Sequence, residues 1–385
     1  MRIQQTLEKY VPLISNMLAP AIIYAVVLLS FLSYDNFDEK TNGLFHAGFY
    51  TLTILCALVL LNFNINRHMF FIISTAFCYI FINYLKKEYG ANFNQTIWFN
   101  YLTILFPLNL IIFYISGRFR FISSKSLQLV MLILLEYGIV EELGKHNINL
   151  SCSIYGINII ATVLYFVFFT IFLIKSVSAN NLFNYSTLYA SMAVASGFYF
   201  ADSSSALSSF FFISQLIVFI DLVFTLTYNY FYDETTGFYS RNSYLIKSKK
   251  FPFKYNLGII SIDNYDKLLN SFGYKKQKIL TNLIAEVVQE LTLEETVFRY
   301  APDQFIVLYT TKDNKEAFSH LDNIRRIIAG INFGYSPKKQ PLKLTVSCSL
   351  AEKKRSDAGA LEVLMRADKA MRKTLKFTHN VTSKG

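Results

Sequence analysis

Two carboxylates, Glu136 and Asp221, stand inside long apolar runs. Burying a carboxylate in hydrocarbon is expensive, so such residues mark ion, proton or substrate sites where a membrane bundle has one. A plainer reading accounts for both. Glu136 then belongs to a weak span near the interface, and Asp221 pairs or caps within the bundle. The cysteines add no chemistry. Cys56, Cys78 and Cys152 lie in or beside apolar runs, Cys348 lies in a predicted strand, and their spacing suggests neither a disulfide framework nor a zinc site. Two basic clusters, Lys247-Ser248-Lys249-Lys250 and Lys353-Lys354-Arg355, suit anionic lipid or an acidic partner, against the bland reading of solvated surface. Nucleic acid is not expected as a partner, since no basic recognition helix or aromatic stacking strip stands out.

The elements that must position these residues fall into two parts. The chain has 385 residues, 17% of them aromatic, and a mean hydropathy of +0.33, too apolar for an ordinary soluble protein. Residues 231–385 hold 26 Lys and Arg against 16 Asp and Glu, whereas the whole chain has 37 and 26. The first 230 residues are therefore near neutral, and nearly all the positive charge lies in the C-terminal part. A spanning helix needs about 20 mostly apolar residues. Eight candidates appear, at 13–33, 46–65, 69–85, 97–117, 127–143, 153–174, 186–201 and 206–227, the fifth and seventh being weakest. With both termini inside, the inner segments hold Arg2, Lys9, Arg67, Arg118, Arg120, Lys125 and Lys175, and the outer loops hold Lys40, Lys86, Lys87 and Lys145. This bias has the sign expected for cytoplasmic termini in a bacterial inner membrane. The spans contain no repeat and no paired broken helices, which disfavours a transporter.

The C-terminal part alternates element types. Asn256 to Ile262 reads as a buried strand, Tyr265 to Phe272 as a short helix ending at Gly273, and Lys276 to Leu291 as an amphipathic helix. Thr296 to Tyr300 and Phe305 to Thr310 read as strands joined at Ala301-Pro302-Asp303-Gln304. A helix over Lys315 to Ile328, a strand over Leu342 to Leu350 and a helix over Ala358 to Leu375 follow. The order β-α-α-β-β-α-β-α predicts an α+β sandwich with helices packed on a sheet. Asp233 follows the last apolar run almost at once, so the two parts are expected to be joined without a linker.

Six strings in this part resemble the GGDEF (diguanylate cyclase) domain family: Asp233-Glu234-Thr235-Thr236-Gly237-Phe238-Tyr239-Ser240-Arg241, Ser261-Ile262-Asp263-Asn264-Tyr265-Asp266, Phe272-Gly273-Tyr274, Phe298 to Phe305, Thr345 to Ser349, and Ala367-Asp368-Lys369-Ala370-Met371. The resemblance covers about residues 231–382. It implies a nucleotidyl-cyclase-like sandwich that joins two GTP into cyclic di-GMP, using divalent metal held by carboxylates. It also implies where that chemistry is missing. The signature falls on Ala301, Pro302, Asp303, Gln304 and Phe305. Asp303 keeps one metal position, but its partner is Ser261. Asp263 lies two residues along the strand, roughly 6–7 Å away. Gln304 replaces an acid and cannot take a proton. Pro302 fixes φ and removes an amide donor where the family has glycine. The guanine-reading positions fall on Leu269 and Lys278, the phosphate-binding positions on Leu375 and His379, and the product-inhibition motif on Thr292-Leu293-Glu294-Glu295, without its arginine. The remaining matches, Asp233, Gly237, Arg241, Gly273, Arg299, Ser347 and Asp368, suit capping, turns and buried hydrogen bonds.

The sequence thus predicts a membrane-anchored regulatory protein with a catalytically degenerate GGDEF domain that acts through protein contacts in a cyclic di-GMP-related or envelope pathway. An active diguanylate cyclase is the runner-up. A membrane component of a polysaccharide or transport machine with a regulatory domain is the third reading. No cofactor is expected, Mg or Mn being needed only for residual cyclase activity. The expected partners are the lipid bilayer and another signalling or envelope protein, and homo-oligomers are compatible with the resemblance.

Overall fold

In the computed structural model the chain divides into two compact units, Met1–Phe224 and Thr225–Gly385. The structure describes all residues except 1, 34–36, 64–67, 117–123, 147–152, 155–156, 180–181, 204, 294, 336–340 and 377. Cys152, and Arg67, Arg118 and Arg120 of the charge bias, lie outside the described residues.

The first unit is helical: α1 (Arg2–Ser33), α2 (Glu39–Phe63), α3 (Met69–Tyr89), α4 (Ile97–Ser116), α5 (Ser124–Lys145), α6 (Ile159–Ala179), α7 (Leu182–Tyr199) and the start of α8 (Ala206–Phe231), with a short ribbon, β1 (Ser153–Ile154) and β2 (Ile157–Asn158), before α6. Among the described residues five helices, α2, α3, α4, α6 and α8, are long and apolar enough to cross a membrane. Eight spans were expected, and these five meet the length and composition of a span. Within the described residues the apolar stretches of α1 and α5 run over Met17–Leu32 and Val130–Val140. Helix α7 carries Asn184, Ser186, Thr187, Ser191 and Ser196, and its buried residues include small ones, Ala190, Ser191 and Ala193, between Tyr185, Leu188 and Phe198. Its hydroxyls bond its own carbonyls, Ser191 Oγ to Leu188 O and Ser196 Oγ to Met192 O. Such small, polar faces permit close helix packing. Opposite faces stay apolar and exposed, as at Ile22, Leu29, Ile54, Leu58, Val163 and Phe166.

The structure gives both intramembrane carboxylate candidates partners. Asp221 Oδ2 lies 2.5 Å from His68 Nε2, and both side chains are 1% exposed. Asp221 also lines a small cleft with about 10 Å³ of space for water, beside Ala19, Pro20 and Ser186. Glu136, half-buried on α5, hydrogen-bonds the side chain of Asn109.

The second unit is a five-stranded sheet between helices. After α9 (Arg241–Lys247) come β3 (Asn256–Ile262), α10 (Tyr265–Leu291), β4 (Thr296–Ala301), β5 (Gln304–Tyr309), α11 (Asn314–Gly330), β6 (Asn332–Tyr335), β7 (Pro341–Lys343), β8 (Val346–Glu352), α12 (Ala360–Leu375) and β9 (Thr382–Lys384). The order is β4-β5-β3-β8-β9, antiparallel except for the β8–β9 pair. Strand alternation sorts the core. Ile260 and Ile262 of β3 pack with Leu280 and Ile284 of α10 and Leu321 and Ile324 of α11, while Leu257 and Ile259 pack with Tyr244 of α9 and Val363 and Ala367 of α12. Burial on both faces explains why β3 reads as a continuous apolar run. Helix α11 starts on a capping box, Asp313 Oδ1 accepting from Glu316 N while the Glu316 carboxylate accepts from Asp313 N, worth about 1 kcal/mol. The break expected at Gly273 is present as a non-helical residue (φ 72°, ψ 166°) inside α10. The strand expected over Leu342 to Leu350 divides into β7 and β8. Thr345 is drawn out of the ladder, its carbonyl accepting from Asp263 N and its hydroxyl donating to Asp263 Oδ2.

Candidate functional site

The β4–β5 hairpin, the end of β3 and the first half of α10 build the site. Arg299 pairs with Phe305 and Ala301 with Gln304, with a register shift between them, so Pro302 and Asp303 form the turn. Pro302 suits a turn corner, which needs no amide donor there. On the other edge of β5, Gln304 pairs with Ser261 of β3. Ile262 N donates to Asp303 O at 2.8 Å, and Ser261 Oγ donates to Asp303 Oδ2 at 3.2 Å. The two positions at which the resemblance implies metal ligands therefore do meet, as one carboxylate and one hydroxyl.

Asp263 does not supply the second carboxylate. Its backbone lies past the end of β3, and its side chain is 1% exposed. Its Oδ1 accepts from Ser347 Oγ at 2.7 Å, and its Oδ2 accepts from Thr345 Oγ1 at 2.7 Å and Asn380 N at 3.0 Å. These bonds tie β3, β8 and the C-terminal segment together and engage both carboxylate oxygens. The residues present do not fit a two-carboxylate metal site. Among the described residues, no group of three or more His, Cys, Asp or Glu side chains is placed to hold a metal ion.

The remaining positions disperse. Leu375 ends α12 packed against the core shared by α9 and α12. His379 sits half-exposed, its Nδ1 3.5 Å from Asp263 Oδ1. Leu269 is 36% exposed on α10. Thr292 closes α10 by donating to Val288 O at 2.6 Å, Leu293 is exposed, and Glu294 lies outside the described residues. Glu295 is buried against Lys312, 2.5 Å away.

Lys278 alone of the nucleotide positions faces a cavity. This open cavity, with about 380 Å³ of space for water, is lined by Asp233, Arg241, Lys278, Thr281, Arg299 and Tyr300, among others. Arg299 is 8% exposed, and its Nη1 has no hydrogen-bond partner. Burial pulls its pKa down, and Asp233, Tyr265 and Asp303 partly oppose that shift. The Arg241 guanidinium lies 4.9 Å from the Tyr300 ring centre. Sequence reasoning took Arg299 for a structural residue and Lys278 for a lost contact. Only the fold places both on one cavity wall.

The opening string is a structural clasp. Asp233 Oδ1 accepts from Thr236 N and Oγ1, and Gly237 adopts φ 72°. Ser240 caps α9 by accepting from Ser243 N, and it donates to Tyr230 O at 2.5 Å. Ser243 Oγ donates to Phe231 O at 2.5 Å. The last carbonyls of α8 are thus satisfied by residues that start α9. Tyr239 bridges to Tyr232 and to Phe298 of β4, and its carbonyl accepts from Arg299 N at 2.7 Å. The end of α8 is therefore hydrogen-bonded, through one short segment, to the strand that carries the signature hairpin.

Comparison with known proteins agrees with this architecture. Residues 231–380 match the family described as diguanylate cyclase, GGDEF domain. Similar solved structures include the GGDEF domain of DgcB from Caulobacter crescentus in complex with c-di-GMP (17% identity, 40% of this chain and 92% of that one, TM-score 0.36). Others are the FimX GGDEF domain from Pseudomonas aeruginosa (19% identity, 40% and 99%, TM-score 0.36) and the active GGEEF domain of a diguanylate cyclase from Vibrio cholerae (17% identity, 37% and 89%, TM-score 0.32). No curated protein matches the chain significantly. Residues 231–380 of this chain are a GGDEF domain.

Proposed function

We propose that this is a membrane-anchored signalling protein whose GGDEF domain does not turn over GTP and acts by contact with another signalling or envelope protein. The metal position carries this reading: Asp303 faces the Ser261 hydroxyl where a second carboxylate would be needed, and Asp263 is consumed by structural hydrogen bonds. Gln304 at the start of β5 and Leu375 packed against the core remove a proton acceptor and a phosphate clamp from the positions that the resemblance assigns to them. The test is incubation of the purified full chain with GTP and Mg²⁺ or Mn²⁺. No cyclic di-GMP is expected. Product above an enzyme-free blank would overturn the reading in favour of an active cyclase, which the retained Asp303 beside the cavity wall favours as the second reading.

The membrane half serves as anchor and input module, with the eight helices embedded in a bacterial inner membrane and both termini cytoplasmic. Five of these helices have the length and composition to cross it, and apolar exposed faces on α1, α2 and α6 suit lipid. The clasp between the end of α8 and β4 supports direct mechanical transmission to the signature hairpin, with Lys249 and Lys250 near enough in sequence to meet anionic headgroups. Cysteine-labelling of Ser248 and Lys384 variants in intact cells tests the topology. Labelling from the outside by a membrane-impermeant reagent would reverse the assignment.

A further inference from the structure

The cavity beside the signature hairpin carries a charge pattern that neither the fold nor the metal position explains. Three of its lining side chains are cations, Arg241, Lys278 and Arg299, against one acid, Asp233. Asp233 accepts from Thr236 through Oδ1, and its single negative charge offsets only one of the three cations. Arg299 is more than nine-tenths buried, yet Nη1 bonds nothing. A buried guanidinium with an unmet donor is unfavourable unless a partner compensates. Lys278 stands half-buried on the α10 side of the same cavity. Arg241 is steered by the ring of Tyr300 rather than by a carboxylate.

We propose that this cavity binds a small oxyanion-bearing metabolite, with Arg299 and Lys278 as the charged contacts and Arg241 at the rim. The guanidinium offers a planar fork that fits two oxygens of one phosphate or carboxylate, and the ammonium adds a second, mobile charge. Thr281 supplies a neutral hydroxyl to the same wall. The N1–H and N2–H₂ donors of a guanine base gain no acceptor from Lys278, which offers only donors. The GGDEF domain would thereby keep a ligand input of altered class. This inference is independent of whether the domain turns GTP over, and its failure leaves the non-catalytic reading untouched.

The test is isothermal calorimetry on the full chain in detergent at low ionic strength, with pyrophosphate, citrate and GTP as probes and sodium chloride as the ionic-strength control. Saturable binding of pyrophosphate or citrate is expected, with GTP no tighter than pyrophosphate. The stronger of the two tells a phosphate source from a carboxylate one. Arg299→Gln and Lys278→Glu should each weaken that binding by tenfold or more. Lys278 is half-exposed, so Lys278→Glu reports on the site even if Arg299→Gln fails to fold. No saturable binding of either anion overturns the proposal. So does binding unchanged by Lys278→Glu, or GTP binding tighter than pyrophosphate.

Discussion

Ser261 Oγ donates to Asp303 Oδ2 at 3.2 Å, joining the end of β3 to the turn of the signature hairpin. A hydrogen bond to a charged group contributes about 1.5–3 kcal/mol. Ser261→Asp would replace this donor with a second carboxylate, and like charges at that distance destabilise each other. The variant is expected to melt below the wild type in EDTA, and Mn²⁺ should restore its melting temperature while leaving the wild type unchanged. Thermal unfolding of the full chain with and without Mn²⁺ reads both. A variant indifferent to Mn²⁺ would show that Asp303 and position 261 cannot share a cation.

Asp221 and His68 are buried together in the helical unit at 2.5 Å. Removing one partner leaves the other desolvated, at a cost of about 3–5 kcal/mol, whereas replacing both by apolar groups is often nearly neutral. Asp221→Leu should therefore destabilise more than the Asp221→Leu, His68→Leu double variant. Unfolding in detergent decides it, and additive losses would mean that the pair is not coupled.

Asp357 accepts from both Arg366 amino groups at 2.7 and 2.9 Å. Arg366 first, then the backbone bond from Lys354 and nearby positive charge, outweigh burial and pull its pKa from 3.8 down to about 2. A depressed carboxylate stabilises the fold above its unfolded pKa and loses that contribution as pH falls through its folded one. The stability gap between wild type and Arg366→Ala, about 1.5–3 kcal/mol at neutral pH, should thus shrink between pH 3.8 and about 2. Denaturant melts at several pH values measure the gap, and a constant gap would assign the effect to packing alone.

Ser240 makes two bonds at the junction and Ser243 one through its side chain, so their truncations should differ. Ser240→Ala is expected to cost about 1–2 kcal/mol and Ser243→Ala about 1 kcal/mol. Both should speed amide exchange at Tyr232, whose N–H bonds Tyr228 O at the end of α8. Unchanged exchange would argue against a clasped junction.

Much of the C-terminal unit was legible in the sequence because its signals are local. Alternation and helical periodicity located β3, β4, β5, α11 and α12 to within a few residues, and Gly273 announced its own break by the positive φ it had to adopt. Strands β6 and β9 were not read, because each is only three or four residues long and forms through its pairing with β7 or β8. Of the eight expected spans, five have the length and composition of a spanning helix among the described residues, and α7 differs from them in carrying Asn184, Ser186, Thr187, Ser191 and Ser196 along its length.

At the site the division is the same. The sequence alone determined which residue types occupy the signature, and so that Ser261, Pro302 and Gln304 stand where charge and close backbone approach would be needed. Only the tertiary structure decided what the surviving groups do. Asp263 shares a strand with Ser261 in sequence, yet donors from β8 and the C-terminal segment claim both its oxygens. Arg299 and Lys278 are 21 positions apart on different elements, yet they line one cavity. Residue type fixes what a group can donate or accept, but hydrogen bonding and burial depend on which other elements arrive beside it, and periodicity along one chain segment carries no record of that.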